Sequence, residues 1–169
     1  MLTGSLVSSL QGEPRSTHDM DFVVVLDRES ASAFTQAMEG TGCHLDADSV
    51  LQAIDTAGTF NLIDPKHGLN VDFWLLTEDA FDHSRFARRA RESVLGMDLW
   101  VTSPEDTILA KLRWSKLSGG SQKQETDALR VYEVQYAVLD RAYLDQWIDI
   151  MRLGSEWQRL LEQARPIDA

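Results

Sequence analysis

Residues 4–26 read GSLVSSLQGEPRSTHDMDFVVVL. The run from Phe22 to Leu26 is unbroken, apolar and rich in Val, which favours a buried β-strand. Side chains alternate along a strand, so Asp19 and Asp21 point one way and Met20 and Phe22 the other. Two carboxylates side by side repel and are expensive next to a core. A divalent cation removes that cost, because Mg²⁺ takes one or two carboxylates and fills its shell with waters and phosphate oxygens. Upstream, Met1-Leu2-Thr3 reads as a strand and Ser5–Leu10 as a helix, with Gly4-Ser5 as the turn between them. Glycine lets a backbone approach a ligand closely, and the N–H groups of a helix start attract phosphate. A phosphate cradle and a metal-carboxylate pair within some twenty residues would suit a nucleoside triphosphate.

Gly4-Ser5, a spacer, then Asp19-x-Asp21 on a strand resembles the signature of the DNA polymerase β-like nucleotidyltransferases. That family carries a third carboxylate on a later strand, and Asp72 in Asn70-Val71-Asp72-Phe73-Trp74 matches it. The resemblance implies that Asp19, Asp21 and Asp72 are both the metal ligands and the catalytic acids. It implies two Mg²⁺ ions and Gly4 and Ser5 on the triphosphate. Members of this family usually have a helix before the Gly-Ser strand. Here the strand starts at residue 1.

Composition sets the outer limits. The chain has 169 residues, 43% apolar and 25% charged, which fits one domain or a catalytic domain with a helical extension. No stretch approaches the roughly 20 apolar residues of a membrane span. Met1 leads directly into the motif with no signal peptide, so the sequence predicts a cytoplasmic protein without membrane contact. The single cysteine, Cys43, excludes an internal disulfide and a Cys-rich zinc site, and beside Gly42 and His44 it reads as a loop thiol. A formal net charge of −11 argues against broad nucleic-acid binding, though not against a local positive cleft.

Glu13–His18 reads as a polar loop whose Arg15 and His18 flank the site, either solvated or near a triphosphate. Asp27 or Ser30 caps a helix with the apolar stripe Ala31, Phe34, Ala37 and Met38, stopped by Gly40 and Gly42. A second helix covers 46–57. Strands follow at 59–63 and 69–76 around an Asp64–Gly68 turn. Thr77-Glu78-Asp79 caps a helix bearing Phe81, Phe86 and the basic run Arg85, Arg88, Arg89 and Arg91. That run either steers a polyanion or is a solvated face. Short strands at 94–95 and 99–101 surround a Gly96-Met97-Asp98 turn. Ser103-Pro104-Glu105-Asp106 is a sharp helix start. Beyond it the pattern is all helix, capped at Asp140, with Trp and Tyr at core spacing. The layout predicts an α+β fold: a nucleotidyltransferase-like mixed β-sheet flanked by helices over 1–102, then an all-helical C-terminal subdomain over 103–169.

Ser103-Pro104-Glu105-Asp106-Thr107-Ile108-Leu109-Ala110-Lys111-Leu112, with Asp127 downstream, resembles a narrower branch, the bacterial AbiEii-type nucleotidyltransferases, some of them toxins of toxin–antitoxin pairs. The resemblance implies nucleotide-binding roles for Lys111, on the phosphates, and for Asp127. Thr126 stands where the branch usually has a basic residue. Taken together, these features predict metal-dependent transfer of NMP from an NTP to an acceptor: tRNA, a protein or a small molecule. An antitoxin is then a possible partner. The alternatives are a nucleotide- or partner-binding protein of the same fold without catalysis, and a metal-dependent phosphohydrolase.

Overall fold

The computed structural model describes residues 1–17 and 19–167. The chain divides into two compact units, Met1–Leu6 with Thr17–Val101, and Val7–Ser16 with Thr102–Ala169.

The first unit holds a mixed seven-stranded sheet. Its strands are β1 (Leu2–Thr3), β2 (Asp19–Val24), β3 (His44–Leu45), β4 (Thr59–Asp64), β5 (Leu69–Leu75), β6 (Ala90–Val94) and β7 (Met97–Val101), in the order β3-β4-β5-β2-β1-β7-β6. β2 runs parallel to β5 and β1 parallel to β7, while the other neighbours are antiparallel. Paired residues share a face. Phe60 and Phe73 stack at 4.9 Å and Phe22 and Phe73 at 5.8 Å, all on one side. Helices α2 (Arg28–Met38) and α3 (Ala47–Thr56) cover that side. Their Ala31, Val50 and Ala53 form a buried cluster with Phe60 and Leu75. Asp27 and Asp46 cap these helices, accepting from the backbone N–H of Ser30 and Asp48.

The strand signals place β2, β4 and β5 within two residues of their ends. The apolar run 22–26 overshoots, because Val25 is exposed and β2 stops at Val24. The two-residue β3 was not expected. Helix α4 (Ala80–Ala87) is capped by Asp79 as read, but it ends before the basic run does: Arg88 is its C-cap and Arg91 lies on β6. The β6–β7 turn is Leu95-Gly96, both with positive φ (53° and 79°), so Met97 and Asp98 belong to β7 rather than to the turn.

Helix α1 (Gly4–Gln11) begins in the first unit and continues in the second. The second unit also holds α5 (Pro104–Leu117), α6 (Gln122–Gln135), α7 (Arg141–Ile150) and α8 (Gly154–Gln163). Ser103 and Asp140 cap α5 and α7 as the sequence predicts. Helix α5 packs on α6, α7 and α8 and buries residues on more than one face: Ile108, Leu109 and Leu112, but also Glu105, Asp106 and Lys111. Each buried carboxylate has donors. The backbone N–H of Asp140 donates to Glu105 (2.9 Å), and Tyr143 Oη and Ser103 Oγ donate to Asp106 (2.7 and 2.8 Å). Tyr132 and Trp147 are core residues, as their spacing suggests.

Gly12 marks a backbone crossing inside this unit. A Cβ there would lie 2.9 Å from both Ser8 O and Val131 N. Backbone atoms cannot swing aside as a flexible side chain can. Gly12→Ala is therefore expected to cost about 1–3 kcal/mol, the usual penalty of overpacking, read as a lowered urea midpoint with an unchanged slope.

Candidate functional site

β1 ends at Thr3, and Gly4 turns the chain into α1 with φ +73°. Thr3 pairs with Asp21 across β1 and β2. That register brings the Asp21 side chain over the turn: a Cβ on Gly4 would sit 1.9 Å from Asp21 Oδ2. Only glycine fits, for two separate reasons, the left-handed backbone and the carboxylate lying where a side chain would start. Gly4→Ala is expected to cost about 1–2 kcal/mol through the backbone alone and to push the Asp21 carboxylate off its position. A calorimetric scan reads the first effect, and Mg–NTP titration the second.

On its other flank β2 pairs with β5, and Asp21 is in register with Asp72. The two half-buried carboxylates project from the same side of adjacent parallel strands, about 4.8 Å apart. Asn70 Nδ2 donates to Asp72 Oδ1 at 3.0 Å, and Trp74 Nε1 lies 3.4 Å from Asp21 Oδ1. Asp19 shares this face but stands one strand repeat away, exposed, opposite Asn70. The structure thus brings Gly4, Asp21 and Asp72 together and leaves Asp19 at the open end of β2. Among the described residues, no three His, Cys, Asp or Glu side chains gather closely enough to hold a metal ion by themselves. The donor set still fits a hard divalent ion of the Mg²⁺ kind, since two neighbouring carboxylates supply part of its oxygen shell and leave the remaining positions to phosphate and water. His18, a flanking residue in the sequence reading, lies outside the described residues.

Lys111 and Asp127 meet in the helical unit. Lys111 Nζ donates to Asp127 Oδ2 at 2.8 Å, and Ser8 Oγ donates to the same oxygen at 3.1 Å. Arg15 completes the set with Nε to Oδ1 at 3.1 Å and a second N–H to Oδ2 at 3.0 Å. The Asp127 side chain is 7% exposed and that of Lys111 8%. Burial alone would raise the Asp127 pKa, but the hydrogen bonds and charges of Arg15 and Lys111 outweigh it and hold the carboxyl below its ordinary value. Burial lowers the Lys111 pKa, and Asp127 offsets only part of that. Arg15 thus remains at the surface, its side chain 34% exposed, but is paired with Asp127 rather than free in the loop. A cavity of about 390 Å³ in the same unit, lined by Leu112, Glu125, Thr126, Glu156 and Arg159 among others, touches neither Lys111 nor Asp127.

Sequence reasoning missed Trp74 beside Asp21, Ser8 and Arg15 on Asp127, and the Gly12 crossing. A signal existed for Trp74 alone, since strand alternation puts it on the face of Asp72.

The crystal structure of an antigenic nucleotidyltransferase-like protein from Paracoccidioides brasiliensis is similar to this one, with a TM-score of 0.51 and 14% sequence identity over 98% of this chain and 85% of that one. The chain has a nucleotidyltransferase-like fold. No family model matches the chain, and no curated protein sequence does. At this identity the likeness concerns architecture: the mixed sheet with its helices, α+β in class. Among the described residues no helix is long and apolar enough to cross a membrane.

Proposed function

We propose that the chain is a metal-dependent nucleotidyltransferase that moves NMP from an NTP to an acceptor. The observation that carries this reading is the registered pair Asp21 and Asp72 against Gly4, on a fold shared with a nucleotidyltransferase-like protein. Asp21 and Asp72, with Asp19 joining from the open end of β2, would hold Mg²⁺. Ions held there would neutralise charge on the phosphates and on the entering and leaving oxygens. Gly4 and Ser5 offer the N–H groups of the α1 start to the triphosphate. Asp72 takes the proton of the acceptor hydroxyl as that oxygen attacks the α-phosphorus in line and pyrophosphate departs. The protein's share is positioning and charge. Lys111 already has Asp127 as its counterion, so the phosphate contact is assigned here to Gly4 and Ser5. The likeness of Ser103–Leu112 to the AbiEii-type branch supports a toxin role with an antitoxin partner. Growth arrest on expression, relieved by Asp72→Ala, tests that role.

The direct test is incubation with each α-³²P-NTP, Mg²⁺ and total cell RNA or protein. Transfer of label that is lost on chelation is the expected result; no transfer with any NTP refutes the reading. The spread of the three acids favours one alternative, a nucleotide-binding protein of the same fold without catalysis. Calorimetric Mg–NTP binding without label transfer would establish it.

A further inference from the structure

The sheet face that carries Asp21 and Asp72 extends to the opposite edge of the sheet. Leu2 pairs with both Phe22 and Val101, so those three residues share the helix-covered side. Thr3, Asp21 and Trp100 consequently project from the other. Arg91 pairs with Trp100 and follows it to that side. Trp100 is 46% exposed, an unusual place for so large an apolar ring. Two arginines lie against it: the Arg89 guanidinium is 5.0 Å from its ring centre and that of Arg91 5.7 Å. Arg89 also lies 4.1 Å from the Phe86 ring and donates to Phe86 O, so it is fixed in place, while Arg91 is exposed.

Charge on this patch runs against the rest of the molecule. In a chain of net charge −11, Arg88, Arg89 and Arg91 fall within four residues. Arg85 is neutralised by Asp82 at 2.9 Å. Glu92 pairs with Leu99 and points to the covered side, and Asp98 pairs with Ser93 on the open side. The two arginines on Trp100, against the one aspartate of β7 on this side, leave the patch locally positive. A half-exposed indole with guanidinium groups beside it is an arrangement that single strands use, with a base on the free part of the ring and phosphates on the cations.

We propose that the Trp100 platform binds a single-stranded nucleic acid, one base stacked on the indole and its flanking phosphates on Arg89 and Arg91. This rests on the nucleotidyltransferase reading for its meaning, since it makes a single-stranded end the acceptor class. Its geometry is independent of that reading. Trp100 is two strands across the sheet and two residues along it from Asp21, roughly 12 Å away, which is within reach of two nucleotides.

The test is fluorescence anisotropy of a labelled single-stranded RNA oligomer at several salt concentrations. Wild type should bind with a log–log salt slope near −1.4, as about two phosphate contacts dictate. Trp100→Ala should weaken binding by about 5- to 100-fold. Arg91→Ala should reduce the slope by about 0.7. Trp114→Ala, an exposed tryptophan of the helical unit, should bind as wild type. Equal binding by Trp100→Ala and wild type, or no wild-type binding at low salt, overturns the proposal. So does a change of sedimentation from dimer to monomer in Trp100→Ala with RNA binding untouched, which would make the face a protein contact. Mg–NTP calorimetry on the same samples separates the two readings: oligomer binding without NTP binding keeps the platform and loses the transferase.

Discussion

Asp127→Asn is expected to destabilise the helical unit by about 3–5 kcal/mol, the cost of leaving a buried cation without its partner. The wild-type carboxylate takes hydrogen bonds from Ser8, Arg15 and Lys111, which join α1, the loop after it, α5 and α6. Asparagine keeps the shape and one acceptor oxygen, but presents two N–H donors to a site built of donors. The Lys111 ammonium then stays buried with no counter-charge. Chemical unfolding followed by helical circular dichroism reads the loss. The double variant Asp127→Asn with Lys111→Met should recover a large part of it, since removing both charges is far less costly than removing one. A single variant as stable as wild type would show that the network holds nothing together.

The same network fixes how stability responds to acid. The Asp127 pKa is lower folded than unfolded, so its contribution is complete above the ordinary carboxylate range and is lost as pH falls through the folded value. Lys111 acts in the opposite direction. Its pKa is also lowered on folding, so its burial penalty is relieved only as pH rises from the folded toward the unfolded value. Urea midpoints should therefore fall between neutral pH and pH 3 in wild type, and fall less in Asp127→Asn, which has no group there to protonate.

What could be read from the sequence was local. Asp27, Asp79, Ser103 and Asp140 are N-caps in the structure because a cap is decided within three residues. The alternation that set Asp72 and Trp74 against Val71, Phe73 and Leu75 is a property of one strand, and the Phe60–Phe73 stack on the covered side agrees with it. Distance in sequence hides the rest. Arg15 and Asp127 are 112 residues apart, and nothing in either neighbourhood names the other. Gly12 looks like one more loop glycine until Val131 is seen beside it. The basic run reads as one helix face because nothing local reveals that α4 ends at Ala87 and that Arg91 has moved onto a strand. For the site itself, Gly4-Ser5, a spacer, Asp19-x-Asp21 and then Asp72 on a later strand form a motif legible from order and context along the chain. The register that sets Asp21 beside Asp72 and strands Asp19 opposite Asn70 is a tertiary fact.

Asp21→Asn should separate activity from stability in the clearest way. Asp21 and Asp72 face each other across adjacent strands, and like charges so placed are destabilising by about 0.2–1 kcal/mol. Asparagine at 21 keeps the side-chain volume against Gly4 and removes the repulsion. Without added metal, the variant should melt at or slightly above the wild-type temperature. With Mg²⁺ and NTP the order should reverse, because ligand at ten times its Kd stabilises wild type by about 1.4 kcal/mol and a variant that cannot hold the ion gains nothing. NMP transfer should drop to background in Asp21→Asn and in Asp72→Ala, with the circular dichroism of wild type. Asp19→Ala decides whether the outlying acid joins the ion once phosphate is bound: transfer abolished as in Asp72→Ala places it among the ligands, and transfer at the wild-type rate removes it. If Asp21→Asn were less stable than wild type without metal and still transferred label, the two facing carboxylates would be a structural pair. The proposal of a cation between them would then fall.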